Sequence, residues 1–99
     1  MVKKQFVKTR NVTKVTFEVD ADVAADEVQL IADFNQWRPV TFDRLKDGRW
    51  KLVQEITPGR SYQYRYRLVK NGAVRYHNEE SADGLVGNTL GGENAVLNV

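Results

Sequence analysis

The segment 62–68, YQYRYRL, limits the possible folds most strongly, because its side-chain chemistry alternates at every position. Successive side chains of a β-strand point to opposite faces of the sheet. One face would carry Tyr62, Tyr64, Tyr66 and Leu68, and the other would carry Gln63, Arg65, Arg67 and Val69. The pattern predicts a strand with a buried aromatic face and an outward face that carries arginine.

Further strand-like segments, separated by turn residues, fill most of the chain. The segment 12–19 has its apolar residues at odd positions, and 28–32 is an almost continuous apolar run. Asp47-Gly48 and Asn71-Gly72 are dipeptides typical of tight hairpins, and we expect each to form a two-residue loop. Other expected strands are 42–46, 49–56, 73–76 and 94–99, with a connection at 20–26 and a long loop at 77–92.

The number and spacing of these segments indicate the fold class. Many short strands without a helical periodicity are typical of a β-sandwich or barrel. About seven to eight antiparallel strands in 99 residues match the proportions of an immunoglobulin-like sandwich. The length suits one hydrophobic core, so we expect residues 1–99 to form a single all-β domain.

Composition argues against several classes of protein. The chain has no cysteine, which excludes disulfides and thiolate metal sites and favours a reducing, cytoplasmic location. No apolar run approaches the ~20 residues that span a bilayer, and the first residues lack the apolar segment of a signal peptide. We therefore expect a cytoplasmic protein that does not bind membranes.

Groups suited to catalysis are sparse in this sequence. His77 is the only histidine, and we interpret it as a surface loop residue. Glycoside hydrolysis needs two carboxyls facing each other across a cleft, which a small sandwich does not offer. We interpret as solvated surface charges Asp33, Asp43, Asp47, Glu55, Glu79, Glu80 and Asp83. We expect no enzyme activity, no metal and no cofactor.

Nucleic-acid binding is the alternative that the tyrosine–arginine strand raises, because sheets that stack bases combine aromatic and cationic side chains. The pleat of segment 62–68 sends its tyrosines and its arginines to opposite faces. The net charge is only +2, and basic and acidic residues are mixed along the chain. The sequence therefore favours no nucleic-acid partner.

Trp37 ends a short polar loop that directly follows the apolar run 28–32. An indole in a loop either packs back onto the core or offers a flat apolar surface to a planar ligand such as a sugar ring. Arg65, outward in the middle of its strand, could donate directed hydrogen bonds to hydroxyls. These residues alone leave both roles of Trp37 open.

Three motifs, in their order along the chain, resemble the isoamylase N-terminal domain family. They are ADFNQW at 32–37, YQYRY at 62–66 before the turn at 71–72, and LGGEN at 90–94. Relatives include N-terminal modules of glycogen branching and debranching enzymes and the glycogen-binding domain of the AMP-activated protein kinase beta subunit. The resemblance covers residues 12–99 and implies an early-set immunoglobulin-like β-sandwich that binds α-1,4-glucans such as glycogen or starch.

The resemblance also implies five site residues. Trp37 stands at the place of a tryptophan that stacks on glucose, and Tyr76 is the nearest equivalent of a second stacking residue. Arg65 occupies the position of a basic residue that hydrogen-bonds sugar hydroxyls. Leu90 and Asn94 match a leucine and an asparagine that complete the site.

Two functions follow from this resemblance. The first is a noncatalytic carbohydrate-binding module whose partner is an α-glucan polysaccharide or oligosaccharide, bound weakly. The second is a protein-interaction or regulatory domain of the same fold that has lost sugar binding and associates with a glycan-metabolising enzyme. Two departures from the family favour the second: Tyr76 replaces a larger tryptophan, and Gly92 stands where a hydroxyl side chain is common.

Overall fold

A computed structural model describes residues 1–79, 81–87 and 92–99, which form ten strands and one 3-10 helix at Asp33–Asn35. The strands are β1 (Val2–Val7), β2 (Val12–Val19), β3 (Glu27–Ala32), β4 (Val40–Thr41), β5 (Asp43–Arg44), β6 (Trp50–Ile56), β7 (Ser61–Lys70), β8 (Ala73–His77), β9 (Gly84–Gly87) and β10 (Glu93–Asn98). In this part of the chain, no helix has the length and apolar character required to cross a membrane.

The strands form two antiparallel sheets. The first sheet has the order β1-β2-β6-β5, and the second has the order β4-β3-β7-β10-β9, with β8 also paired to β7. This arrangement confirms the predicted all-β, immunoglobulin-like sandwich. The described residues contain more strands than the expected seven to eight, because β1, β4 and β9 were not predicted.

The hydrophobic core lies between the two sheets and is built from their alternating inward residues. The predicted odd-numbered face of β2 is buried, as are Tyr64, Tyr66 and Leu68 of β7. Phe17 of the first sheet meets Tyr64 of the second edge to face, with ring centres 5.4 Å apart. Such aromatic pairs contribute beyond their buried area, so the aromatic face of β7 holds the two sheets together.

The two hairpins differ in their turns. Lys70 pairs with Ala73, and Asn71 and Gly72 both have positive φ, which gives the predicted two-residue loop of type I′. At the other hairpin, the Leu45 N–H bonds the Arg49 carbonyl at 2.7 Å and the Gly48 N–H bonds the Leu45 carbonyl at 3.0 Å. The loop therefore has three residues, 46–48, and the prediction of a two-residue loop there was wrong.

The expected long loop at 77–92 is also wrong in part. His77 is the last residue of β8, and its ring stacks on Tyr66. Gly84–Gly87 form β9, which pairs with β10 from Gly84↔Val96 to Gly87↔Glu93. The backbone N–H and C=O groups along the edge of β10 need hydrogen-bond partners, and β9 supplies them. The glycine-containing sequence of β9 does not by itself indicate a strand, because the strand depends on this pairing.

Gly72→Ala is expected to lower the free energy of unfolding by about 1 kcal/mol, because a Cβ is unfavourable at positive φ. Gly72 has φ +78° and nothing lies within 4 Å of an added Cβ, so only the backbone cost is measured. Gly87 has the same open surroundings without a positive φ, and Gly87→Ala is the matched control. Urea unfolding of both variants checks this, and an equal loss in both would contradict it.

Candidate functional site

The solvent-facing side of the second sheet, here called the outer face, is centred on the polar residues of β7. Ile31 of β3 pairs with Arg65, and Gln29 pairs with Arg67. Arg67 pairs on its other side with Tyr76 of β8. Paired residues of an antiparallel sheet share a face, so the outer face carries Gln29, Ile31, Gln63, Arg65, Arg67 and Tyr76.

Arg65 and Tyr76 are in direct contact on the outer face. The guanidinium carbon of Arg65 lies 4.5 Å from the ring centre of Tyr76, a favourable cation–π distance. The Tyr76 side chain remains half exposed, at 50%. The Arg65 Nε is buried and has no hydrogen-bond partner among the described residues. The structure thus brings together two of the five predicted site residues.

Trp37 lies at the end of β3, and its side chain is not part of the hydrophobic core. It is 41% exposed, which rules out the alternative role of a core plug. The backbone N–H of Trp37 donates a hydrogen bond to the Ala32 carbonyl at 2.8 Å. Gln36 and Trp37 both have a φ of +60°. Two consecutive residues in the left-handed region each cost about 1 kcal/mol, and strain of this kind is concentrated at binding sites.

Phe34 and Asp33 explain why the loop leaves the indole outside. Phe34 packs against the core and meets Tyr62 edge to face, with ring centres 5.6 Å apart. The Gln63 N–H donates to Asp33 Oδ2 at 3.1 Å, which ties the loop to β7. One aromatic residue of the loop therefore packs partly buried against the core, and the other is held at the surface. The sequence alone does not separate these two roles, because both rings lie in one short polar loop.

The two remaining predicted site residues are Asn94 and Leu90. Asn94 is on β10, is only 7% exposed, and its Nδ2 donates to Gln63 Oε1 at 3.1 Å. Asn94 therefore contacts the half-buried Gln63 of the outer face. Leu90 lies outside the described residues. Among described residues, no ring contact joins Trp37 to Tyr76, and β7 lies between β3, which precedes the loop of Trp37, and β8, which carries Tyr76.

Arg67 and Gln29 are outer-face residues that sequence analysis did not assign to a site. The Arg67 Nη1 donates to Gln29 Oε1 across the β3–β7 pairing. The alternation of segment 62–68 placed Arg67 on the same face as Arg65, and this was the signal that could have identified it. Together these residues line the outer face with amide and guanidinium groups beside exposed aromatic rings.

The ion pairs of the described residues lie away from the arginines of the outer face. They join Arg10 to Glu55, Arg49 to Glu18 and Asp47, Lys4 to Asp83, Lys3 to Glu18, and the N-terminal ammonium to Glu79. None of these pairs includes Arg65 or Arg67. The outer face therefore carries two arginines without an ion-pair partner among the described residues, and its carboxylate on β3, Glu27, stands opposite Val69.

Glu79 is not the solvated surface charge that the sequence suggested. It is 6% exposed, and Oε1 accepts hydrogen bonds from the Met1 ammonium at 2.6 Å and the Tyr66 hydroxyl at 2.9 Å. Oε2 accepts from the Ser81 N–H and hydroxyl. Burial raises the pKa of Glu79, but these donors outweigh burial and hold the pKa below its ordinary value.

The lowered pKa of Glu79 bears on whether this residue could act as a catalytic acid. It lines a cavity of about 460 Å³ with Glu18, Asp20, Tyr66 and Arg75. A general acid at neutral pH requires a raised pKa, whereas the pKa of Glu79 is lowered. The described residues also contain no group of three or more histidine, cysteine, aspartate or glutamate residues that could hold a metal ion. The most buried carboxylate of the cavity is thus arranged for structure.

Comparisons with known proteins give a match at the level of structure. No protein-family model matches the sequence, and comparison with curated proteins finds no match. Among solved structures, the chain is similar to pullulanase from Bacillus acidopullulyticus, with a TM-score of 0.69 and 18% sequence identity. The match covers 97% of this chain and 11% of the pullulanase chain. The chain therefore shares a fold with about a tenth of that enzyme.

Proposed function

We propose that this domain is a noncatalytic carbohydrate-binding module that recognises α-1,4-glucan, such as glycogen, starch or maltooligosaccharide. One observation carries the proposal: the exposed ring of Trp37 lies in the loop that follows β3, the exposed ring of Tyr76 lies on β8, and β3 and β8 flank β7, which carries the outward Arg65. A pyranose has an apolar C–H face and a rim of hydroxyls. Aromatic rings suit the face, and guanidinium donors suit the rim.

The spacing of the strands suits a chain of sugars. Trp37 follows β3 and Tyr76 lies on β8, with β7 between them. Neighbouring strands are about 4.8 Å apart, so β3 and β8 are separated by about 10 Å across the sheet. The end of β3 pairs with Tyr64 and Tyr76 pairs with Arg67, which adds about 10 Å along β7 and places the end of β3 about 14 Å from Tyr76. This distance exceeds the width of one pyranose ring. The two aromatic side chains would therefore contact different glucose units of one oligosaccharide.

Arg65 is the polar centre of the proposed site. Its guanidinium lies over Tyr76, which holds a rigid fork of donors beside the ring. The Nε is buried and has no partner among the described residues, so the guanidinium would donate to a sugar hydroxyl through its terminal nitrogens. Glucose would pack on the part of the Tyr76 ring that Arg65 leaves exposed.

Gln63, Asn94 and Leu90 complete the proposed site. Gln63 presents its amide on the outer face, and Asn94 orients that amide through the hydrogen bond from its Nδ2. Leu90 is proposed as an apolar contact to a glucose ring on the strength of the sequence resemblance. The fold shared with part of a pullulanase also supports membership of the isoamylase N-terminal domain family. Because such a site is shallow and open, we expect weak affinity.

Titration of the wild-type protein with maltoheptaose, followed by tryptophan fluorescence, tests the proposal. Trp50 is buried and Trp37 is exposed, so a ligand-dependent change reports on Trp37. We expect a saturable change at submillimolar to millimolar sugar, and no change in the Trp37→Phe variant, which retains Trp50. If calorimetry detects no binding up to about 10 mM maltoheptaose, the binding free energy is weaker than about −3 kcal/mol. This result would refute the sugar site.

A second candidate function is docking to a glycan-metabolising enzyme, and β9 favours it. β9 ends the second sheet among the described residues, and its Leu85 and Val86 are exposed. An edge strand of this kind can pair with another chain. A domain with this function would bind a purified debranching enzyme without added glucan and would give no maltoheptaose signal. In either case we propose a cytoplasmic location, which the lack of cysteine supports.

A further inference from the structure

Two arginines border the same aromatic ring on the outer face. The guanidinium of Arg65 lies over Tyr76, and Arg67 is the register partner of Tyr76 across the β7–β8 hairpin. Residues two apart on one face of a strand are separated by about 6.8 Å. Two long arginine side chains at this spacing can reach a single anionic group placed beside Tyr76.

Arg65 and Arg67 form no ion pair among the described residues, which they share with Arg38, Arg44, Arg60 and Arg75, but they lie two residues apart on one face of one strand. Arg10 and Arg49 of the described chain form ion pairs with carboxylates at 2.7 to 3.2 Å. The pairing partners of Arg65 and Arg67 are instead the neutral residues Ile31, Gln29 and Tyr76. Two adjacent like charges repel, and a neutral sugar offers nothing that would offset the repulsion. An anion would.

We infer that the preferred ligand of this site is an α-glucan that carries phosphate monoesters. This inference rests on the proposed function and adds the charge of the substrate to it. A phosphate monoester carries nearly two negative charges at pH 7 and accepts paired hydrogen bonds from guanidinium groups. Arg65 and Arg67 bind the phosphate while a glucose ring of the same chain packs against Tyr76.

Single-stranded nucleic acid also combines phosphate with groups that stack on aromatic rings. Its backbone requires a continuous cationic groove, however. On the outer face the neutral amides of Gln29 and Gln63 lie next to the two arginines, and the whole chain has a net charge of only +2. The pattern fits hydroxyl-rich chains with occasional phosphates better than a polyanion.

The test compares amylopectin that carries glucose 6-phosphate groups with the same sample after phosphatase treatment. Affinity electrophoresis measures binding of the wild type, Arg67→Gln and Arg10→Gln. Each substitution removes one positive charge, from β7 of the second sheet in Arg67→Gln and from the turn between β1 and β2 of the first sheet in Arg10→Gln. We expect Arg67→Gln to lose about tenfold in affinity for the phosphorylated sample and to lose much less for the dephosphorylated sample. Arg10→Gln should bind both samples as the wild type does.

The possible outcomes separate this inference from the function on which it rests. A phosphate preference that weakens with added salt and requires Arg67 supports it. Equal binding of both samples by the wild type overturns the phosphate preference and leaves glucan binding in place. Binding of neither sample overturns both proposals. Tighter binding of a phosphate-matched oligothymidine than of phosphorylated amylopectin replaces both with nucleic-acid recognition.

Discussion

Replacing Trp37 with alanine is expected to weaken maltoheptaose binding by about thirtyfold and to leave stability almost unchanged. An aromatic residue that supplies the main flat contact contributes about 2 kcal/mol or more to binding, which corresponds to that factor. The indole is 41% exposed and outside the core, so its loss changes the free energy of unfolding by less than about 0.5 kcal/mol. Calorimetric titration and urea unfolding measure the two effects separately.

Phe6 provides the control for the Trp37 experiment. It is an exposed aromatic residue on β1, in the other sheet, so Phe6→Ala removes a ring without touching the outer face. We expect Phe6→Ala to bind as the wild type does and Trp37→Phe to lose less affinity than Trp37→Ala, because phenylalanine keeps a flat ring. Wild-type affinity in Trp37→Ala, or an equal loss in Phe6→Ala, would place the sugar elsewhere.

Local chemistry accounts for the parts of the fold that the sequence predicted correctly. The alternation of β7 correctly predicted its buried aromatic face, and the odd-numbered apolar residues of β2 correctly predicted the opposing face of the core. The Asn71-Gly72 dipeptide gave the hairpin, because both positions require positive φ. In each case the necessary information lies within a few neighbouring residues.

The parts that the sequence did not predict depend on distant partners. Pairing with β10 orders β9. Trp37 is exposed because Phe34 of its own loop packs against Tyr62 of another strand. Arg65 meets Tyr76 because the hairpin sets a register that no single segment contains. These contacts join residues of different secondary-structure elements, and without the sheet order their chemistry fits several arrangements.

Glu79 is the clearest example, and Glu79→Gln has the largest expected effect on stability. The carboxylate receives hydrogen bonds from the Met1 ammonium, the Tyr66 hydroxyl and Ser81. Glutamine removes the charge and turns an NH₂ donor toward groups that are themselves donors. A buried donor without an acceptor costs about 1–3 kcal/mol, so we expect the free energy of unfolding to fall by about 2 kcal/mol at pH 7.

The pH dependence of this loss distinguishes lost charge from lost packing. The folded protein holds the pKa of Glu79 below its ordinary value of 4.5, so the ionised form stabilises the fold. This contribution is fully present above about pH 4.5 and disappears as the pH falls through the lowered pKa of the folded state. The difference between wild type and Glu79→Gln should therefore be largest at pH 7 and shrink steadily below pH 4.5.

Urea unfolding at pH 7, 5 and 3.5 checks this prediction, with Glu55→Gln as the matched control. Glu55 is also paired with a cation, the Arg10 guanidinium, but both side chains are largely exposed. Exposed pairs contribute less than about 1 kcal/mol, so Glu55→Gln should cost little at any of these pH values. A loss in Glu79→Gln that stays constant from pH 7 to pH 3.5 would show that shape, and not the buried charge, holds this end of the sandwich together.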